Sequence, residues 1–325
     1  MTDEVSYSVA FQQGVREEME RDDSVFVLGT DLYERGGHFA QVKGLGPVFG
    51  EQRIRDTPIS ESAMVAAGVG AALYGLRPLV DLNFVDFAFG AMDEIVNQAA
   101  KYRHMYGRPV PLVIRATAGA AAGGAQHNNT LEAWFAHTPG LAVVAPSTAY
   151  DSKGLIKSAL RADDPVIFLM HKRLTGVRGP VGGPDDLVRI GEGAVRRSGT
   201  GATLVGYGGS MAPCLEAAEQ LAADGIETEV IDLRSLYPLD LELVVDSVRK
   251  TGIAVVVDEA NTTCSIGSEL AATIQEAAFD YLDAPVARVN GRRVPLPNAP
   301  GLMNAALPQA AEVVAAVRRA ARRAA

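Results

Sequence analysis

The first part of the chain alternates short apolar runs with segments of helical periodicity. Apolar runs closed by polar residues are typical of strands that are buried on both faces. They lie at residues 25–30, 77–84, 111–115, 141–146 and 165–169. Helical patterns occupy residues 60–73, 88–105 and 150–160. The alternation predicts an α/β fold in which helices cover both faces of a parallel sheet.

A stretch dense in glycine and proline, Gly176-Val-Arg-Gly-Pro-Val-Gly-Gly-Pro184, interrupts this alternation. Such a stretch favours a connection between domains. Beyond it, strand patterns return at residues 202–206, 227–232, 253–257 and 286–289, with helical patterns at 212–223, 242–250, 268–281 and 309–321. We therefore predict two doubly wound parallel-sheet domains, at residues 1–180 and 190–325.

Composition and charge narrow the class of protein. The 325 residues are 48% hydrophobic and 21% charged, which is typical of a globular protein, and the net charge of −9 argues against binding to nucleic acid or to an anionic membrane. No apolar run approaches the ~18–20 residues of a membrane span. The two cysteines, Cys214 and Cys264, have no metal-type spacing and fit a reducing compartment. We expect a cytoplasmic enzyme.

Glu61 is the first candidate for chemistry. It follows a short strand and opens a helix of very small residues, at the edge of a parallel sheet where ligands usually bind. A structural role is equally open, because Ser60 could cap the helix and Glu61 could be a favourable acid in its first turn. The small residues that follow imply that something packs closely against the helix. An acid in that position would be shielded from water and suited to proton transfer.

His127 and Phe87 are two further candidates with ordinary alternatives. His127 lies in a loop of glycine and alanine that has no bulk to bury it, so it could face a cavity or be a merely hydrogen-bonded histidine. Phe87 follows a strand and could belong to the core or offer its ring to a flat heterocycle. His38, His104 and His171 have no informative motif around them, and His137 is typical of packing at a helix end.

Several motifs in order along the chain resemble one enzyme family. They include Asp56-Thr-Pro-Ile-Ser-Glu61, Asp81-Leu-Asn-Phe-Val-Asp-Phe87, Met92-Asp-Glu-Ile-Val-Asn-Gln-Ala-Ala-Lys101 and Val230-Ile-Asp-Leu-Arg-Ser-Leu-Tyr-Pro-Leu-Asp240. Together with His127 they resemble the β subunit of the E1 component of 2-oxoacid dehydrogenases of the pyruvate, branched-chain and acetoin types. The resemblance covers nearly the whole chain. It implies a transketolase-like pyrimidine-binding domain followed by a transketolase C-terminal domain.

The resemblance also implies a shared cofactor. In this family an α subunit holds the diphosphate of thiamine diphosphate and Mg²⁺, and the β subunit holds the aminopyrimidine. The Gly-Asp-Gly motif that normally marks the metal-binding half is absent from this sequence. The expected assembly is an α₂β₂ heterotetramer that decarboxylates a small 2-oxo acid and transfers the acyl group to a lipoyl-bearing E2 core.

Site residues follow from the same resemblance. Glu61 would bond the pyrimidine N1′ and favour its imino tautomer, and Phe87 would stack on the ring. Asn83 and Ile59 would line the pocket. His127 would stabilise or protonate the intermediate after decarboxylation. A K⁺ ion is often held by backbone carbonyls in this family, and the matching positions are Leu112, Ala159, Ala162 and Asp164.

Departures from the family pattern gather on the acceptor side of the reaction. The usual His-Ser-Gln-Ser run is His127-Asn-Asn-Thr130 here, and Met170 stands where an acid is common. Two alternatives therefore stay open. One is a two-component thiamine-dependent carboligase or transketolase of specialised metabolism, and the other is a non-catalytic scaffold.

Overall fold

The computed structural model describes residues 4–121 and 123–324, which form two compact units. The first unit comprises Met1–Ala118 and Trp134–Ile190, and the second comprises Gly119–Ala133 and Gly191–Ala325. The loop that carries His127 therefore groups with the second unit, although it precedes much of the first in sequence. The sequence patterns did not indicate that this loop groups with the second unit.

A parallel sheet forms the centre of the first unit. Its strands within this unit follow the order β6-β7-β5-β4-β2-β3, and all of their pairings are parallel. Every residue of β5 and β7 is buried, as expected for strands covered on both faces. A separate antiparallel pair joins β1 to β8. The strands are β1 (Glu4–Ser6), β2 (Val25–Gly29), β3 (Ile54–Asp56), β4 (Arg77–Phe84), β5 (Val113–Ala118), β6 (Ala142–Val144), β7 (Val166–His171) and β8 (Arg178–Pro180).

The helices of this unit include those predicted at residues 60–73 and 150–160 and others that the sequence patterns did not predict. They are α1 (Tyr7–Arg21), α2 (Gly46–Phe49), α3 (Glu61–Leu73), α4 (Tyr102–Tyr106), α5 (Glu132–Ala136, which crosses the boundary at residue 133) and α6 (Ala149–Arg161). The predicted helix at residues 88–105 is instead a 3₁₀ segment (Val85–Ala91), a π-helical segment (Glu94–Ala99) and α4. The prediction of one continuous helix is wrong there. Asn97 donates to Asp93 inside the π-helical segment (2.6 Å), and Ser62 of α3 donates to Glu94 (2.6 Å).

The core of the first unit lies between its sheet and the pair α1 and α6. The ring of Phe11 in α1 packs on Phe168 of β7, with centroids 5.3 Å apart. Both side chains are fully buried, and each contributes about 1.5–3 kcal/mol through removal of its surface from water. Ser6 caps α1 by accepting the amide of Val9, and Thr148 caps α6 by accepting the amide of Asp151. These helices therefore begin where the sequence supplies a hydroxyl side chain.

The second unit contains a smaller sheet in the order β14-β13-β10-β11-β9. Its central pairings are parallel, and the edge strand β9 pairs antiparallel with β11. An antiparallel edge on an otherwise parallel sheet is common in α/β folds. The strands of this sheet are β9 (Ala194–Arg197), β10 (Ala202–Gly206), β11 (Thr228–Asp232), β13 (Ala254–Asn261) and β14 (Ala287–Gly291), and β12 (Ser235–Tyr237) lies outside it.

The helices of the second unit include those of the predicted series and one, at residues 300–306, that was not predicted. They are α7 (Met211–Ala223), α8 (Leu241–Thr251), α9 (Ile266–Ala277), α10 (Pro300–Ala306) and α11 (Ala310–Ala324). The core packs α7 and α11 against the sheet, with Cys214, Leu221, Val313 and Val317 fully buried. Within residues 4–121 and 123–324, the structure contains no helix that could span a membrane.

Candidate active site

The carboxyl edge of the first unit's sheet gathers most of the predicted site residues. Glu61 follows β3, Asn83 lies near the end of β4, and Phe87 lies in the 3₁₀ segment that follows β4. Because β3, β2 and β4 are parallel neighbours, their carboxyl ends meet at one edge, where ligands of α/β sheets bind. Ile59 lies on the segment between β3 and α3 and is 78% exposed. His127 belongs to the second unit and is described separately below.

Glu61 begins α3 and is half-buried. Its carboxylate makes no hydrogen bond or ion pair with any described residue, and the side chain of Ser60 forms no capping bond. The capping role left open for Ser60 is therefore not observed. The close packing inferred for α3 is real, since a Cβ on Gly68 would come within 2.6 Å of Val80 in β4. This geometry leaves the Glu61 carboxylate available to a ligand.

The segment before Glu61 is fixed by a carboxylate. Asp56, the last residue of β3, accepts hydrogen bonds from the backbone amides of Leu32 and Tyr33. The amide of Thr57 donates to the carbonyl of Gly29 (2.8 Å). The loop after β2 and the turn that leads into α3 are thereby joined, which holds the first turn of α3 in place at the sheet edge.

Asn83 has an unusual backbone conformation for a residue in a strand. Its φ of 60° lies in the left-handed region, and the pairing of β4 with β5 shifts register between Asp81 and Phe84. The side-chain oxygen Oδ1 of Asn83 is buried and has no partner within the described chain. Left-handed residues and bulges concentrate at functional sites, and asparagine tolerates this conformation better than most residues. The buried Oδ1 of Asn83 is therefore suited to accept a hydrogen bond from a ligand.

A buried ion pair supports this bulge from the sheet. Arg115 is fully buried and its Nη1 lies 3.0 Å from Oδ1 of Asp81, which is 2% exposed. The same carboxylate accepts the amide of Asn83 (2.8 Å) and a hydrogen bond from the buried amide of Gln41. Asp81 therefore joins β5, the loop after β2 and the left-handed residue.

Met170, one of the departures from the family pattern, belongs to this network. Its sulfur lies 3.3 Å from Nε of Arg115, so a weak thioether acceptor occupies a position where an acid is common. Nη2 of Arg115 is buried and has no hydrogen-bond partner among the described residues. The substitution therefore affects the support beneath Asn83, which the sequence alone did not indicate.

An aromatic cluster accompanies Phe87 at the same edge. The ring of Phe87 meets Phe84 edge to face, with centroids 5.6 Å apart, and Phe84 meets Phe39 at 5.3 Å. His38 packs on Phe84 at 5.1 Å, and the Lys172 ammonium lies 5.3 Å from the Phe84 ring centre. Sequence reasoning missed His38. The glycine pair that precedes it, with φ of 82° and 83° in the left-handed region, was the available signal.

The loop of residues 119–133, here called the histidine loop, carries His127 in the second unit. His127 is half-buried, and its Nδ1 lies 3.1 Å from the carbonyl oxygen of Gly123. A carbonyl oxygen can only accept, so Nδ1 carries the proton in this contact and Nε2 is the basic nitrogen of the neutral ring. Asn128 accepts the amide of Ala121 through Oδ1 (2.9 Å).

The positions suggested for K⁺ lie around the start of β7 and the end of α6. The Leu112 carbonyl accepts the amide of Val166 (2.9 Å), and the Ala159 carbonyl accepts the amide of Ala162 (3.2 Å). The Ala162 carbonyl accepts Nη1 of Arg77 (2.8 Å). The Asp164 carboxylate pairs with Arg103. The described residues contain no group of three or more His, Cys, Asp or Glu side chains that could hold a metal ion.

A second buried network lies at the end of β13 in the second unit. The Tyr207 hydroxyl donates to Oδ1 of Asp258 (2.7 Å), and the Gly267 amide donates to Oδ2 (2.8 Å). Burial raises the pKa of Asp258, while the hydrogen bonds from Tyr207 and the two amides oppose that rise. Burial and the nearby Asp258 charge raise the pKa of Tyr207 well above its usual range. Both groups thus resist ionisation in the folded protein.

Comparison with known families accounts for both units. Residues 3–177 match the family described as "Transketolase, pyrimidine binding domain", and residues 191–313 match "Transketolase, C-terminal domain". The pyruvate dehydrogenase E1 component subunit beta of Rhizobium meliloti is 45% identical over 95% of this chain and 68% of its own length. The 2-oxoisovalerate dehydrogenase subunit beta of Bacillus subtilis is 44% identical over 91% of this chain and 92% of its own.

The chain belongs to the family of E1 β subunits of 2-oxoacid dehydrogenases. The predicted family and fold class are confirmed. This E1 β-type chain is also 42% identical to the acetoin:2,6-dichlorophenolindophenol oxidoreductase subunit beta of Cupriavidus necator, over 98% of each chain. Among solved structures, it resembles one titled "Split gene transketolase, inactive beta4 tetramer", with a TM-score of 0.81, 27% identity and 99% of each chain covered.

Proposed function

We propose that this chain binds the aminopyrimidine half of thiamine diphosphate and, with an α-type subunit in an α₂β₂ assembly, decarboxylates a small 2-oxo acid and passes the acyl group to a lipoyl-bearing E2. The observation that carries the proposal is the presence of Glu61 and Asn83 at the same edge of the sheet. The Glu61 carboxylate makes no bond within the described chain, and the buried Asn83 oxygen has no described partner.

The residues at this edge fit the pyrimidine ring of the cofactor. A flat heterocycle needs an aromatic or apolar face and a few polar groups that fix its orientation. Phe87 supplies a half-buried ring, Ile59 an exposed apolar side chain, and Asn83 a polar group. Thiamine diphosphate, when bound, supplies the nucleophilic and electron-accepting chemistry that decarboxylation of a 2-oxo acid requires.

Glu61 has the proton-holding role in this proposal. A carboxylate that is shielded from water shares a proton strongly with a ring nitrogen, because the low local dielectric strengthens the hydrogen bond. Glu61 is half-buried at the start of a helix whose dipole favours a negative charge. It would therefore hold the proton at N1′ of the pyrimidine.

His127 has the second proton-handling role. Its Nδ1 lies 3.1 Å from the Gly123 carbonyl oxygen, so Nε2 is the nitrogen that would take up or deliver a proton at the reacting group. The diphosphate and Mg²⁺ are assigned to the α-type subunit, and K⁺ to the carbonyls of Leu112, Ala159, Ala162 and Asp164. The proposal includes a cytoplasmic location for this protein.

The test is turnover by the chain co-purified with its α-type partner. The assembly would receive thiamine diphosphate, Mg²⁺ and a panel of 2-oxo acids, with dichlorophenolindophenol as electron acceptor in one arm and lipoylated E2 in another. Reduction of the dye should be lost in Glu61→Gln, which removes the ionisable carboxylate but keeps the size of the side chain. Glu51→Gln is the matched control, because Glu51 is exposed and makes no described contact.

Three outcomes separate the readings. Acyl transfer to lipoylated E2 that depends on Glu61 supports the dehydrogenase proposal and identifies the substrate. Products with a new carbon–carbon bond, without acyl transfer, would move the protein to the carboligase or transketolase alternative. If no 2-oxo acid of the panel is turned over, although the partner has been shown to bind thiamine diphosphate, the result would support the alternative of a non-catalytic scaffold.

A further inference from the structure

The histidine loop buries little apolar surface of its own. Apart from His127 and its polar neighbours it is built largely of glycine and alanine, and Gly123 and Gly124 have φ values of 143° and 77°. A loop of small residues buries little apolar surface, so its conformational entropy must be offset by contacts from elsewhere in the protein. Those contacts come from side chains far along the sequence.

Glu259 supplies the first contact. Its Oε1 accepts the backbone amide of Ala120, 139 residues away in sequence. Glu259 lies in β13, next to the fully buried Asp258, at the point where the pairing of β13 with β14 shifts register between Asp258 and Asn261. A hydrogen bond to a charged acceptor is about twice as strong as one between neutral groups. The amino-terminal part of the loop is therefore attached to β13.

Asn298 supplies the second contact. Its Oδ1 accepts the backbone amide of Gly123 (3.1 Å), and Asn298 precedes α10 in the second unit. Ala120 is fully buried in a small apolar cluster with Met303 and Leu307 from the same region. The loop thus rests on α10 as well as on β13.

These contacts reach His127 through one residue. Gly123 is held by Asn298 through its amide, and its carbonyl oxygen meets Nδ1 of His127. The amide of Ala121, next to the Ala120 anchor, donates to Asn128, the residue after the histidine. A shift of either anchor would therefore displace the carbonyl that sets the orientation and the proton position of the imidazole.

We propose that Glu259 and Asn298 are positioning residues that act on the reaction through His127, an inference that rests on the role proposed for His127 above. Under this proposal, the second unit orients the histidine. Glu259 itself makes no proton transfer. The competing explanation is that Glu259 only stabilises the second unit, in which case its loss would affect folding and leave the step carried by His127 unchanged.

The first test measures the loop itself. Amide hydrogen exchange of the peptide over residues 119–131 would be followed by mass spectrometry in the αβ assembly. Glu259→Ala and Asn298→Ala should each speed exchange in this peptide about tenfold or more, since removal of a hydrogen bond exposes the protected amide. Glu259→Gln keeps an acceptor oxygen and should exchange at an intermediate rate. Glu276→Ala, an exposed acid on α9, is the matched control and should change nothing.

The second test measures coupling to the histidine. Glu259→Ala should lower kcat about 10- to 100-fold with a small effect on the KM of the 2-oxo acid, because a displaced catalytic group loses its reactive geometry. Glu259→Gln should recover part of that loss. The double variant His127→Ala/Glu259→Ala should be no slower than His127→Ala alone, since a positioning residue has no effect once the group that it positions is gone.

Different results would overturn the two parts of the proposal. Unchanged exchange in the loop of Glu259→Ala and Asn298→Ala would overturn the anchoring, whatever the enzyme catalyses. Losses that multiply in the double variant would overturn the action through His127, while the anchoring would stand. If the wild-type assembly is inactive towards every 2-oxo acid, the proposed function fails and the exchange experiment still decides whether the anchors hold the loop.

Discussion

Removal of the charge at Asp81 should destabilise the first unit more than removal of any exposed acid. Asp81 is 2% exposed and pairs with the fully buried Arg115, whose Nη1 lies 3.0 Å from Oδ1. In Asp81→Asn the guanidinium would stay buried without a counter-charge. Loss of one partner of a buried pair costs about 3–5 kcal/mol, a large part of the ~5–15 kcal/mol that stabilises a typical domain.

The contacts of Asp81 explain why the loss of unfolding free energy should be large. Its two oxygens accept bonds from the Asn83 amide, from Gln41 and from Arg115. An asparagine would present its NH₂ group to at least one of these donors, and an NH₂ group donates hydrogen bonds but does not accept them. Met170 offers Arg115 only a thioether sulfur, so no second carboxylate compensates at that position.

The assay is urea unfolding of the full chain, followed by circular dichroism. Asp163→Asn is the matched control, because Asp163 also pairs with an arginine (Arg77, 2.9 Å) but is 66% exposed. The control should lose no more than about 1 kcal/mol. A loss below about 1 kcal/mol in Asp81→Asn would refute the reasoning. The double replacement Asp81→Leu/Arg115→Met should be milder than Asp81→Asn, because it leaves no buried charge.

Three further predictions concern the site, the second unit and the cation. Because glycine adopts a φ of 60° freely, Asn83→Gly should leave the free energy of unfolding nearly unchanged in urea, whereas Asn83→Val should lower it by about 1–3 kcal/mol. Both substitutions should weaken thiamine diphosphate binding, measured by calorimetry of the αβ assembly. Burial raises the pKa of Asp258 above its ordinary 3.8, so its contribution to stability is complete below that value and is lost as pH rises through the folded-state pKa. The stability of the wild type relative to Asp258→Asn should therefore increase as the pH falls from neutral towards 3.8, and a constant difference would contradict this assignment. With K⁺ at about a hundred times its dissociation constant, the unfolding free energy should rise by about 3 kcal/mol over that in Li⁺, and equal unfolding in the two salts would speak against a K⁺ site.

Elements fixed by local chemistry were predictable from the sequence. The apolar strands at the centre of each sheet and the helices α3, α6, α7 and α8 occupy nearly the predicted residues. The predicted helix at residues 88–105 shows the limit of this approach. Its apolar spacing is compatible with helical turns of several widths, and contacts such as Ser62 with Glu94 select a 3₁₀ and a π-helical turn.

The site was predictable in its residue types and less so in its geometry. Glu61, Asn83 and Phe87 come from motifs that are contiguous in sequence, and the parallel topology then brings them to one edge. The left-handed φ of Asn83 depends on the register shift between β4 and β5, which no local pattern encodes. The anchors of the histidine loop are 139 and 175 residues from it in sequence, so only the folded chain reveals them.

The assignment of the histidine loop to the second unit has a consequence for protein engineering. A chimera built by joining two relatives at the glycine-rich connection near residue 184 would take residues 119–133 from one parent and Glu259 and Asn298 from the other. Such a hybrid could contain both parental domains in full and still lose the fit between the loop and its anchors. A functional exchange needs three crossovers, so that the loop is transplanted together with the part of the chain that holds it.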